Sequence, residues 1–228
     1  MGMNMQVNEV DCTRRRIVLA GVGACAAAAA GWPRDSQATQ TRQVSRRILI
    51  LGDSLSAEYG LARGTGWVAL LQERLARQRT PAEVVNASIS GETTSGGRSR
   101  LSALLKQHQP THVVVELGAN DALRGFPLRT TQDNLRAMVE ASQAAGAKVL
   151  LVGMRVPPNY GRRYSDDFAA LFETVSRERK AALVPFLLKD VADRPDARDW
   201  FQPDGIHPLA KAHPVMLDHI WSGLKPLL

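Results

Sequence analysis

The sequence predicts an α/β fold: a parallel sheet with helices on both faces. Apolar runs of strand length alternate five times with apolar stripes at helical spacing. The strand runs are apolar without alternation, as for strands buried on both faces. Parallel neighbours need crossover connections, and the intervening helices supply them. The composition agrees: 44% hydrophobic and 22% charged residues in 228 is a globular balance, which excludes bulk disorder and collagen-like repeats.

The elements follow in order. Ile48-Leu49-Ile50-Leu51 is the first buried strand. Trp67, Val68, Leu70, Leu71 and Leu75 form a helical stripe, and Val84-Val85 marks a short strand. Leu101, Leu104 and Leu105 stand at i, i+3, i+4. His112 to Leu117 is a strand centred on Val113, Val114 and Val115; Leu135, Met138 and Val139 mark the next helix. Lys148 to Gly153 is a strand, Phe168, Leu171, Phe172 and Val175 a helix, and Leu183 to Phe186 a short strand. Leu217, Ile220, Trp221 and Leu224 mark the last helix. In such folds ligands sit beyond the carboxyl ends of the strands, so chemistry-bearing residues are expected there.

Composition narrows the function classes. Aromatic residues are 5%, too few for a stacking platform for single-stranded nucleic acid. The net charge is +7, but the arginines are scattered, which reads as a solvated basic surface rather than a nucleic-acid footprint. Such a surface also suits an anionic substrate or a transient membrane-surface contact. The cysteines, Cys12 and Cys25, both precede the first strand, so neither a disulfide framework nor a thiolate metal site is expected in the folded part. No His or acidic cluster has metal-ligand spacing, and no metal or cofactor is expected. A monomer is the default expectation.

Residues 1–38 read as an export signal. Thr13-Arg14-Arg15-Arg16 precedes an apolar, Ala/Gly-rich stretch ending near Ala30, and Ser36-Gln37-Ala38 fits a small-x-small cleavage site. The Arg pair resembles a twin-arginine signal. This makes residues 39–228 the functional domain, exported to a periplasm. Lipid anchoring through Cys25 in Val22-Gly23-Ala24-Cys25, secretion, and an uncleaved tail are the alternatives.

Four motifs fall where the fold predicts chemistry. Gly52-Asp53-Ser54-Leu55-Ser56 follows the first strand and places a hydroxyl at the crevice, with Gly52 allowing a tight turn and a helix expected just beyond. Asn86 to Thr94 contains Gly91, whose bare N–H suits a ligand. Gly118-Ala119-Asn120-Asp121 follows the third strand with an amide donor. Asp204-Gly205-Ile206-His207-Pro208 precedes the last helix, with a carboxylate one turn from an imidazole. Each alone also reads as a cap or a turn; the order of all four is the specific signal. His108, His112, His213 and His219 are assigned to packing or surface.

Together GDSLS, Gly91, GAND and DGIHP resemble the four signature blocks of the SGNH (GDSL) hydrolases. VVNASISGET, LSALLKQHQPTHVVVELGANDALRGFP and PPNYGRRYSDDF are similar to the bacterial periplasmic acyl-CoA thioesterase I, lysophospholipase and arylesterase subfamily, over roughly Arg46 to Leu227. The resemblance implies a three-layer α/β/α sandwich, flavodoxin-like, with a five-stranded parallel sheet. It implies ester or thioester hydrolysis through an acyl-enzyme, with Ser54 as nucleophile, His207 as base and then acid, and Asp204 orienting the imidazole. The Ser54 N–H, Gly91 N–H and Asn120 amide would bind the oxyanion. Met154, Val156, Pro157 and Tyr160 would bind the acyl chain, although ordinary loop packing also accounts for them. Asp53 and Asp121 are expected to hold loops, and Glu58, where relatives usually carry glycine, to face solvent. An acyltransferase or carbohydrate deacetylase would share the triad, and a non-catalytic binding module would share the fold.

Overall fold

The computed structural model describes residues 46–78 and 82–228. The segment expected to be an export signal, its expected cleavage site, Cys25 and the boundary between residues 38 and 39 lie outside them.

The chain alternates as expected: β1 (Arg46–Gly52), α1 (Trp67–Arg77), β2 (Ala82–Asn86), α2 (Thr94–His108), β3 (His112–Glu116), α3 (Ala119–Leu123), α4 (Leu128–Ala144), β4 (Lys148–Val152), α5 (Arg162–Arg179), β5 (Ala182–Val184) and α6 (His213–Leu224). The strands form one parallel sheet in the order β2-β1-β3-β4-β5. That is the flavodoxin order, whose switch point lies between β1 and β3. Helices α1 and α6 pack together on one face, while α2, α4 and α5 pack in sequence on the other. The uninterrupted apolar runs of β1, β3 and β4 are buried between them, which is why these strands do not alternate.

Three local features differ from the sequence expectation. The chain after β3 forms a five-residue helix, α3, entered through Gly118 at φ 124°. β5 stops at Val184 rather than Phe186, because Pro185 has no N–H to extend the ladder. Ser54 is not followed directly by a helix: residues 54–60 are turns, and α1 begins only at Trp67.

Candidate active site

The strand ends bring the four motifs together. β1 and β3 are in register, with Gly52 beside Glu116. The chain leaves β1 in a turn closed by the Ser56 and Ala57 N–H groups donating to Asp53 O (3.2 and 2.9 Å), which presents Ser54 at the crevice. Gly52 serves space here rather than a left-handed turn. A Cβ on it would lie 2.6 Å from Ser56 Oγ and 2.9 Å from Glu116 Oε2.

The Asp/His motif forms a loop pinned by an antiparallel bridge between Phe201 and Pro208 and by the Gln202 N–H donating to His207 O (2.7 Å). Within it, Asp204 Oδ1 accepts the Ile206 and His207 N–H groups (2.9 and 3.0 Å). Gly205, at φ 69°, permits that tight return. The other oxygen, Asp204 Oδ2, lies 2.7 Å from His207 Nδ1, and His207 Nε2 lies 3.0 Å from Ser54 Oγ. Partial burial pushes the Asp204 carboxyl up, but donors from the His207 backbone and ring and from Ile206 outweigh it and hold it down at about 2. An ionised Asp204 keeps the ring proton on Nδ1 and leaves Nε2 to accept from Ser54.

Asn120 ties three loops together. Its Nδ2 donates to Asp53 Oδ2 and to Glu92 O, both at 3.0 Å, so both amide protons are engaged. Gly91 stands at φ 76°, and Arg124 Nη2 donates to its carbonyl at 3.0 Å. Among the described residues, neither the Ser54 N–H nor the Gly91 N–H donates to a protein acceptor. Asp121 is buried and accepts the Thr94 N–H (2.8 Å) at the start of α2, a loop-holding part as expected.

The crevice beside Ser54 and His207 has a volume of about 1080 Å³. Met154, Val156 and Pro157 line it, together with Phe186 and Leu188. Tyr160, expected with them, is not part of the lining; its hydroxyl donates to Leu123 O (3.4 Å) and its ring stacks on Tyr164.

A family profile for GDSL-like lipases and acylhydrolases matches residues 50–215. The chain belongs to the GDSL-like lipase/acylhydrolase family. Esterase TesA of Pseudomonas aeruginosa is 48% identical over 81% of this chain and 90% of its own length. The "Thioesterase 1/protease 1/lysophospholipase L1" of Escherichia coli is 45% identical over 79% of this chain and 84% of its own. The crystal structure of esterase EstA from Pseudoalteromonas sp., inhibited by monoethylphosphonate, superposes with a TM-score of 0.74 at 47% identity, covering 79% of this chain and 97% of that one.

Within this GDSL-type site, the structure corrects a second expectation and adds residues the motifs did not reveal. Glu58 does not face open solvent. Its carboxylate accepts the Gly64 N–H (3.0 and 3.1 Å) and the Gly66 N–H (2.7 Å). Its φ of 59° explains why glycine suits the position; here the three contacts offset the left-handed backbone. Tyr59 packs its ring 4.4 Å from that of His207, and its carbonyl accepts from Gln202 Nε2 (2.9 Å). Glu116 is fully buried behind the turn. A charged residue closing the apolar run Val113-Val114-Val115 was its only sequence signal.

Proposed function

We propose that this chain is a serine hydrolase that cleaves carboxylic esters or thioesters of acyl chains through an acyl-enzyme. The observation that carries the reading is the row Asp204–His207–Ser54, at 2.7 and 3.0 Å, opening on an apolar crevice. Ser54 Oγ attacks the acyl carbonyl while His207 Nε2 takes its proton. Asp204 holds the tautomer and stabilises the imidazolium. His207 then protonates the departing alkoxide or thiolate, and a water molecule repeats the sequence to release the acid. The Ser54 and Gly91 N–H groups serve the tetrahedral oxyanion, and Asn120 joins them when the substrate oxygen displaces or shares one of its present acceptors.

The named relatives, an esterase and a thioesterase/lysophospholipase, support this substrate class. Met154, Val156 and Pro157 favour acyl chains longer than acetyl. Export of the chain, argued from residues 1–38, favours lysophospholipids and aryl or alkyl esters over cytosolic acyl-CoA. A transient lipid-surface contact belongs to the same reading. All the exposed large apolar side chains among the described residues (Tyr59, Ile89, Phe126, Tyr160 and Ile206) lie on connections that follow the carboxyl ends of strands, the end that holds the crevice.

The deciding experiment treats the purified protein with a fluorophosphonate probe, maps the adduct by mass, and runs a butyrate-to-palmitate ester series. Labelling at Ser54 with turnover of the longer esters is expected. A folded protein that takes no probe and turns over no ester would overturn the reading, and a sharp preference for acetyl would replace it with a deacetylase.

A further inference from the structure

Behind the nucleophile turn lies a buried acid that the acyl-transfer scheme leaves unused. Glu116 ends β3 and is 0% exposed. Its Oε2 accepts the Ser56 hydroxyl (2.7 Å) and the Asp53 N–H (3.3 Å). Its Oε1 receives no N–H or O–H donor among the described residues. The bond from the Asp53 N–H sets the Glu116 carboxyl beside Asp53, which is itself 1% exposed. Asp53 in turn accepts the Leu55 N–H through Oδ1 and the Asn120 amide through Oδ2, both at 3.0 Å. Among the described residues, no Lys or Arg forms an ion pair with either acid.

Two neighbouring buried carboxyls without a cation partner do not both ionise, because desolvation and mutual repulsion add. One of the pair therefore keeps its proton. Burial pushes both acids up, Asp53 to about 6 and Glu116 well above its ordinary range, and His207 nearby favours charge on Asp53. A carboxyl kept neutral by its surroundings can donate a hydrogen bond at neutral pH.

We propose that Glu116 is a positioning residue of the acyl-transfer site: it carries the single proton of the pair, donates it to Asp53, and so holds Asp53 as the acceptor that aims the Asn120 amide. This rests on the oxyanion role proposed for Asn120. Without the donor, the Asp53 carboxylate loses one of the contacts that fix its rotamer, and Asn120 drifts from the position the developing oxyanion requires. Glu116 does not line the crevice, and the apolar residues Met154, Val156 and Pro157 keep their places, so the effect falls on kcat rather than KM.

The test compares Glu116→Gln and Glu116→Leu in the full chain. The Gln amide N–H replaces the carboxyl proton and its C=O still accepts from Ser56, so kcat should stay within about threefold of wild type. The Leu variant removes both functions, and kcat should fall roughly a hundredfold, within the range of a lost oxyanion donor, while KM moves less than about twofold. Infrared spectra at neutral pH should show the C=O stretch of a protonated carboxyl in the wild type and its loss in Glu116→Gln. This readout holds even if the Leu variant fails to fold. A folded Leu variant with wild-type kcat, a Gln variant as impaired as Leu, or no such band would overturn the proposal. A wild-type protein that shows the band but neither labels at Ser54 nor turns over esters would remove the hydrolase reading instead, and the positioning role with it.

Discussion

At the scale of single residues, the site depends on a few contacts that each tolerate little change. Ser54→Ala or His207→Ala should each lower kcat by about a million-fold if the triad acts as a unit. Asn120→Ala should cost roughly a hundred- to a thousand-fold. Steady-state kinetics on a soluble aryl ester checks all three, and near-wild-type turnover in Ser54→Ala would refute the mechanism. Gly52→Ala is a separate case. The added methyl would meet Ser56 Oγ at 2.6 Å and Glu116 Oε2 at 2.9 Å, so the turn must shift. About 1–3 kcal/mol of stability should be lost, as for other overpacked sites, with kcat falling alongside. Urea melts and kinetics on the same preparation would measure both.

At the scale of elements, α1 starts with a buried histidine in the place of a conventional cap. Gly66 offers no side chain there, and the Trp67 N–H donates instead to His213 Nδ1 at 3.0 Å, across from the start of α6. Only the neutral ring accepts that bond, and burial holds the His213 ring down at about 4 against an ordinary 6.5. The folded ring therefore resists a proton that the unfolded chain accepts. The contribution is complete above the unfolded value of about 6.5 and is lost as pH falls from there towards about 4. Its full size is roughly 3 kcal/mol. Urea midpoints at pH 7 and pH 4.5 should diverge more for wild type than for His213→Asn, whose amide oxygen accepts without titrating; equal divergence would refute this. Glu58 secures the same approach, its carboxylate accepting the Gly64 and Gly66 N–H groups of the loop that leads into α1.

For the molecule as a whole, a parallel sheet sends every strand-to-helix connection to one end, so a crevice and its apolar rim arise together. Ile89 and Phe126 are exposed on that rim, and neither lines the crevice. Replacing both with Ser should leave turnover of a soluble aryl ester unchanged. Turnover of a lysophospholipid presented in vesicles should fall by about tenfold, less than the full burial of two such side chains is worth. Equal rates on both substrates would remove the lipid-surface contact. The surface ion pairs, such as Arg136 with Asp133 and Glu178 across α4 and α5, should matter far less, in keeping with exposed pairs.

The local pattern of residues by itself determined the strand and helix order, the parallel sheet and the four motifs. Burial on both faces leaves an uninterrupted apolar run in β1, β3 and β4, and side-chain chemistry at strand ends is visible without coordinates. What only the tertiary structure decided were the contacts between residues far apart in the chain. Ser54 meets His207 across 153 positions, Trp67 meets His213 across 146, and Asp53 is joined to Glu116 and Asn120 through the neighbouring strand. Backbone conformation was equally hidden: the left-handed φ of Glu58, the unexpected α3 and the crowding around Gly52 follow from how loops close over the sheet. Periodicity reports which face of an element is buried, and it carries no information on which partner lies against that face.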